Sequence, residues 1–320
     1  MYAVRGIAVS FSVFVVLYAT LSVAVGCFWR RVWLTVQGDS ARRCADLLLA
    51  LRLAPCALAG CVTLMFAVPS FLLLEPRAGD EPLGAAAILL GVCGMAVILA
   101  GTWNAARSLA SAARTVSRWG SEAPNALSSI GSGHAVSALR ISSLAPPLTA
   151  AGILRPSVWM SRAAQFVLSE RELKIALQHE LVHVRRRDNL RKLALRLVMF
   201  PGMAELECAW REATEMAADD AAVSSASEAL DLAAAVIKLS RLAPLGPPAE
   251  LTTALVHSPA ESVNARVERL IAWKDRSKVS PSPFSRPYAL YSAVALAATL
   301  VVTYSQLLVH VHAATEWLVR

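Results

Sequence analysis

Apolar and polar positions along this chain sort into four long uncharged runs and one extended stretch of mixed character. Gly6 to Trp29 is a run of 24 residues without a charge; Leu53 to Leu74 and Leu83 to about Trp103 follow it, and Tyr288 to about Val309 lies near the C-terminus. A helix rises about 1.5 Å per residue, so each run can cross a hydrocarbon core of about 30 Å. Four transmembrane helices are therefore expected. Only Arg5 precedes the first run, while Arg30 and Arg31 follow it, the reverse of a secretory signal, which marks that run as a retained anchor.

The stretch between the third and fourth runs carries shorter periodicities. Ala105 to Trp119 sets Arg107, Arg114 and Arg118 among Leu109, Ala112, Ala113 and Val116, a pattern for a basic helix on the membrane surface or for a plain extension of the third span. Ser, Gly, Pro and Asn mark Gly120 to Gly133 as a linker. Val136 to Ser143 and Gly152 to Ser161 are apolar and β-branched between turn signals at Pro146-Pro147 and Gly152, which predicts two short strands that can pair as a hairpin. Ser169-Glu170-Arg171-Glu172 is a capping box that opens a helix with Ile175, Leu177, Leu181 and Val182 on its apolar face. Further helices are expected after Pro201-Gly202, over Ser227 to Leu242 and over Pro259 to Trp273, with a break at Gly246-Pro247-Pro248. The fold class is thus a mainly α membrane protein with an α+β domain between spans three and four. Its expected divisions are residues 1–104 with three spans, 105–133 as interfacial helix and linker, 134–287 as the α+β domain, and 288–320 as the fourth span with a short tail.

Composition agrees with a membrane class: 56% of the 320 residues are hydrophobic, 17% are charged, and mean hydropathy is +0.51. The net charge of +8 sits largely beside the spans, so anionic lipid headgroups are its expected partner and direct nucleic-acid binding is not. The first loop, Arg30 to Arg43, holds four arginines, whereas Glu75 to Gly84 sets Glu75, Asp80 and Glu81 against Arg77. The positive-inside rule then places the N-terminus outside and the domain between spans three and four in the cytosol, in a multi-pass plasma (inner) membrane protein. The six cysteines form no CxxC pair and read as buried thiols. Arg52, at the start of the second span, is expected to reach the headgroups.

Chemistry concentrates at His179-Glu180-Leu181-Val182-His183. Histidines at i and i+4 share one helix face and can meet one tetrahedral Zn²⁺, with Glu180 placed to work on a metal-bound water, the HExxH arrangement. A catalytic zinc takes three protein ligands and keeps one position open. Glu215 is favoured as the third, because Asp219 at i+4 can accept an N–H from a ligand imidazole; Glu212, Glu207 and Asp220 are rivals. The expected reaction is peptide-bond hydrolysis, with Glu180 taking the water's proton and passing it to the leaving amine. An extended substrate is expected to add to a sheet edge near Leu154 to Met160.

Gly152-Ile153-Leu154-Arg155-Pro156, then His179-Glu180-Leu181-Val182-His183-Val184-Arg185-Arg186-Arg187-Asp188-Asn189, then Glu215 with Asp219, resemble the integral-membrane zinc peptidases of the bacterial β-lactam sensor-transducers. The likeness runs from about Gly152 to Leu270. It implies a zincin-like cytosolic peptidase domain, zinc on His179, His183 and Glu215, catalysis by Glu180, and a cytosolic transcriptional repressor as substrate in signal transduction. Only His310 to Arg320 or so follow the fourth expected span, so no penicillin-binding sensor is expected there and an outer-surface sensor partner is. His257-Ser258-Pro259 with Arg266-Val267 resembles the heat-shock and prenyl-protein membrane peptidases, which act in quality control or processing. His257 and Arg266 are candidates for oxyanion stabilisation or for a structural role, Arg266 also reading as a surface helix residue. A non-catalytic transducer with a zinc-binding module is the alternative of a different class. His134, His310 and His312 read as incidental.

Overall fold

The computed structural model describes residues 2–36, 38–76, 84–121, 128–130, 137–153, 155–242, 251–254, 260–273 and 286–319. The chain forms two compact units: Met1–Cys27, Leu53–Ala100 and Ser277–Arg320 make the first, Phe28–Arg52 and Gly101–Arg276 the second. Helices α1 (Tyr2–Val36), α2 (Ala41–Val62) with its continuation into α3 (Val68–Leu74), and α4 (Ala85–Ser121) are the long ones of the N-terminal part. The stretches Tyr2–Val36, Ala41–Leu74 and Ala85–Ser121 are each long and apolar enough to cross a membrane, and they contain the first three expected spans. The fourth expected span falls within α11 (Arg286–Val319).

In the first unit, small residues let helices approach closely, as association within lipid favours. A Cβ at Gly91 of α4 would stand 3.0 Å from the Ala8 carbonyl of α1, and Ser12 Oγ of α1 donates to the Ala87 carbonyl at 2.8 Å. Arg5 pairs with Glu75 at 2.9 Å, while His312 lies 3.9 Å from Glu75 and 3.6 Å from Glu316. Between α2 and α3 the helix loosens into a π-helical turn, Thr63–Ala67, where the Val68 N–H reaches back to the Thr63 carbonyl. Pro69 explains the loosening, because it has no N–H to offer the Met65 carbonyl four residues earlier. That carbonyl accepts the Tyr304 hydroxyl of α11 at 2.8 Å instead, so the backbone group is satisfied where lipid offers no partner.

The second unit carries a five-stranded sheet in the order β1-β2-β4-β3-β5, comprising β1 (Ser128–Ile130), β2 (Ser137–Ile141), β3 (Leu148–Ala151), β4 (Ser157–Met160) and β5 (Thr252–Ala254). Helices α5 (Arg162–Val167), α6 (Glu170–Arg186), α7 (Asp188–Leu197), α8 (Ala204–Ala222), α9 (Ala226–Leu242) and α10 (Ala260–Ile271) complete it. Helix α6 is the hub, packed against β3, β4, α8 and α9. Ile175, Leu177, Leu181 and Val184 of α6 join Leu148, Val158 and Met160 of the sheet and Leu232, Val236 and Leu239 of α9 in one core. Each such buried aliphatic side chain contributes about 1.5–3 kcal/mol.

Several expectations change here. Of the two readings of Ala105 to Trp119, the extension of the third span holds and the separate interfacial helix does not, because α4 runs unbroken from Ala85 to Ser121. The expected linker contains β1, paired antiparallel with β2. The two expected strands do not form a hairpin: β2 and β4 pair in parallel, and the hairpin is β3–β4, turned through Gly152 at φ +98°, where a Cβ would stand 2.8 Å from the Arg155 carbonyl. Strand β4 therefore has neighbours on both sides, which rules out substrate addition along Ser157–Met160; Leu154 lies outside the described residues. Arg52 does not reach for headgroups. It is 2% exposed, its Nε donates to Glu207 of α8 at 2.9 Å, and its NH2 group donates to the Val198 carbonyl. Cys44 is the one buried thiol; Cys56 is half-buried, and Cys27, Cys61, Cys93 and Cys208 are exposed on helix surfaces. His134, Gly246-Pro247-Pro248 and His257 lie outside the described residues.

Tyr304→Phe isolates the hydroxyl bond to the proline-freed carbonyl, since the ring can keep its 5.5 Å contact with Phe66. The variant is expected to lose about 1 kcal/mol, read as a lower unfolding midpoint of the purified protein in detergent. An unchanged midpoint would mean that the Met65 carbonyl finds another donor.

Candidate metal centre

The centre is built on α6, and the sequence sets that helix's start and stop. Ser169 caps it reciprocally: its hydroxyl accepts the Glu172 N–H at 3.4 Å, and Glu172 Oε2 accepts the Ser169 N–H at 2.8 Å. Lys238 of α9 adds a 2.8 Å contact to the same carboxylate. At the other end Arg187 takes a left-handed conformation, φ 55°, and its N–H closes the helix on the His183 and Val184 carbonyls. That bend starts α7 at Asp188 and turns its side chain back under His183.

His179 and His183 are both buried, with their Nε2 atoms 3.1 Å apart. Glu215 of α8 completes a triangle, Oε2 standing 3.5 Å from His179 Nε2 and Oε1 3.6 Å from His183 Nε2. Each histidine uses its other nitrogen on a carboxylate: His183 Nδ1 lies 2.7 Å from Asp188 Oδ2, and His179 Nδ1 lies 3.0 Å from Asp219 Oδ1. These contacts favour a proton on each Nδ1 and turn both Nε2 atoms toward Glu215. A tetrahedral site with ligands at about 2.0–2.2 Å has ligand–ligand edges of about 3.3–3.6 Å. The imidazole nitrogens stand 3.1 Å apart and each lies 3.5 or 3.6 Å from a different oxygen of Glu215, so the three groups surround one point at close to this scale, and the donor set of two imidazoles and a carboxylate fits its chemistry.

The rival carboxylates are placed elsewhere. Glu207 serves Arg52, Asp220 pairs with Arg269 at 2.6 Å, and Glu212 lies on the exposed face of α8 beside Cys208. Arg266 of α10 is 3% exposed and is not a surface residue. Its Nε and NH2 donate to the two Asp219 oxygens at 2.9 and 2.7 Å, while NH1 stands 3.1 Å from Glu215 Oε2. Arg266 thus ties the third metal-facing residue to the carboxylate that orients His179. Three further residues escaped sequence reasoning. Asp188 was visible only as part of a motif tail; Asn189 Nδ2 donates to the Ala150 and Gly152 carbonyls at 3.2 and 3.1 Å, fixing the end of β3 against α7; and Lys192 donates to the Thr252 carbonyl of β5 at 2.6 Å.

Electrostatics follow from burial and these partners. Burial opposes the His179 imidazolium, but Asp219 and Glu215 outweigh it and raise its pKa to about 9. Burial lowers His183, against the pull of Glu215 and Asp188. Burial also raises Glu180 to about 8, partly offset by His179; neither of its oxygens has a side-chain hydrogen-bond partner. Glu215 is held at about 2 despite burial, by His183, Arg266 and His179, and Asp219 lies well below the usual carboxylate range against burial, chiefly through Arg266 and His179. Burial lowers Lys192, with Glu215, Asp188 and Glu180 opposing.

A metal-free centre at pH 7 therefore holds a proton on His179 and one on Glu180. A dication displaces the first by taking Nε2 and drives off the second by its charge. Calorimetric titration in buffers of different ionisation enthalpy is expected to show release approaching two protons per metal at pH 7, with apparent affinity rising as pH goes from 7 toward about 9. Release of no protons would contradict the burial-raised values.

No curated protein matches the chain. The family model described as BlaR1 peptidase M56 matches residues 82–270, a region that contains the third apolar helix, the sheet and the whole of the centre. The chain belongs to the BlaR1 peptidase M56 family, a family of membrane metallopeptidases.

Proposed function

We propose that this protein is a membrane-embedded zinc endopeptidase that cleaves a cytosolic protein in signal transduction. The observation that carries the reading is the convergence of His179, His183 and Glu215 beside a buried Glu180 with no side-chain partner of its own. A carboxylate so placed is costly to fold unless it has work there.

Zinc held by His179 Nε2, His183 Nε2 and Glu215 would supply a Lewis acid and a bound water acidified toward neutrality. Glu180 is the proton carrier. With a dication held there, its carboxyl, at about 8 in the metal-free protein, would be kept ionised, able to accept a proton from water and return it to the leaving amine. Asp188 and Asp219 keep both imidazoles in the tautomer that presents Nε2. Arg266 pairs with both Asp219 and Glu215, so neither carboxylate is buried without a cationic partner.

Four spans, with α11 as the fourth, an outside N-terminus and a cytosolic peptidase domain complete the proposal, supported by the arginines of the first loop against the acidic second loop. A transcriptional repressor is the proposed substrate on the family likeness, and lipid headgroups are the proposed partner of the basic surface. An outer-surface partner would provide the sensor.

Glu180→Gln should retain metal and lose at least a hundredfold in cleavage, while Glu215→Ala should lose metal affinity and activity together. Comparing protein fragments from cells carrying the native chain and Glu180→Gln would expose the substrate. Cleavage unaltered by Glu180→Gln would leave a zinc-binding transducer as the better reading.

A further inference from the structure

His183 is joined to a membrane-crossing helix by a continuous line of charged contacts. Asp188 spends Oδ2 on His183 Nδ1 at 2.7 Å. Its other oxygen meets two guanidinium groups more loosely, Arg186 Nε at 3.7 Å and Arg191 NH1 at 3.6 Å. Both arginines also face one oxygen of Asp46 on α2, Arg191 NH1 at 3.0 Å and Arg186 NH2 at 3.5 Å. Two cations are therefore shared between a fully buried carboxylate that orients a metal-facing histidine and a half-exposed carboxylate on another helix. From the same opening turns of α2, Arg52 holds Glu207 on α8, the helix that carries Glu215 and Asp219. The first turns of α2 thus grip both helices that build the centre, and the helical stretch they begin runs on to Leu74 as one of the apolar stretches long enough to cross a membrane.

We infer that Asp46 is a positioning residue for the metal centre and that the opening of α2 is the input through which the membrane helix regulates it. Asp46 sets how much of the Arg186 and Arg191 charge reaches Asp188. When α2 shifts away, both guanidiniums turn fully to Asp188, which becomes a weaker acceptor for the His183 N–H and leaves that imidazole a poorer ligand. When α2 is seated, the arginines are shared and Asp188 is free to hold His183. The distance from Asp46 to the arginines is the variable, and a rotation of α2 by a fraction of a turn changes it. This inference rests on the zinc reading proposed above.

The test uses the full chain in detergent or lipid nanodiscs, loaded with Co²⁺ or Zn²⁺. Metal dissociation constants and the visible absorption of the cobalt form are compared for the native chain, Asp46→Asn, Asp46→Ala, Asp46→Glu and the control Arg43→Ala, which removes an exposed charge from the same helix. Asp46 is half exposed, so its variants are expected to fold, and Asp188→Ala gives the ceiling of about a 10–100-fold loss for removing a direct orienter. Asp46→Asn and Asp46→Ala are expected to weaken metal binding about three- to tenfold and to shift the cobalt spectrum, with Asp46→Glu restoring both and Arg43→Ala changing neither. Adding Asp46→Ala to Asp188→Ala should bring no further loss, because both act through one carboxylate. Native affinity and spectrum in Asp46→Asn, or full additivity with Asp188→Ala, would overturn the inference and leave the zinc reading standing. A native chain that binds neither metal would overturn both.

Discussion

A charged cluster inside an apolar helical core is the constraint on which the second unit depends. His179, Glu180, His183, Asp188, Asp219 and Arg266 are each at most 3% exposed, and an unpaired charge in such surroundings costs several kcal/mol. The fold answers by bringing four helices to one place. Helix α6 contributes both imidazoles, α7 brings Asp188, α8 brings Glu215 and Asp219, and α10 brings Arg266. In the metal-free protein the cations His179 and Arg266 stand against the anions Asp188, Glu215 and Asp219, with Glu180 neutral. With a dication bound, His179 and Glu180 give up their protons and the total charge of the set is unchanged. The core can thus exchange two protons for one metal ion without leaving a new unbalanced charge, which allows the same packing to serve both states.

That exchange also explains why Glu180 can be strongly shifted and still useful. Its pKa rises because burial outweighs the pull of His179, and a nearby dication restores its ionised form. His183, Arg266 and His179 do the opposite work on Glu215, holding it ionised beforehand. Two carboxylates a short way apart are driven to opposite protonation states, Glu180 by burial and Glu215 by the imidazoles and guanidinium around it. Separation of roles by environment is how one site obtains both a ligand and a base from the same functional group.

The metal-facing residues were legible because local spacing fixes them. His179 and His183 share a face by helix geometry alone, Ser169 and Glu172 announce the helix that carries them, and Asp219 falls one turn after Glu215. What was not legible depends on contacts between distant segments. Arg266 lies on an amphipathic helix and looks like a surface residue until α10 is packed against α8 and α9. Strand β3, Leu148–Ala151, is buried at every position, so it lacks the alternation that marks a strand. With β3 unseen, the parallel neighbours β2 and β4 read as the two arms of a hairpin, whereas the hairpin is β3–β4. The short α7 was hidden because its start is set by one left-handed residue, Arg187, a conformation that arginine composition does not announce.

Arg52 was misread for a related physical reason. An arginine at the end of an apolar run has two ways to avoid lipid: it can reach water and headgroups, or it can find a carboxylate and a carbonyl on a neighbouring helix. Sequence alone favours the first, because the second requires knowing that Glu207 and the Val198 carbonyl stand beside it. The same holds for Asp46, whose value lies wholly in two arginines about 140 residues further on in the sequence. Asp46 and Arg52, both on α2, are thus committed to contacts with the second unit's helices. A membrane helix whose first turns are fastened to both ligand-bearing helices cannot move without straining one of them. The ion pairs that make the second unit stable thereby also make its metal centre sensitive to α2.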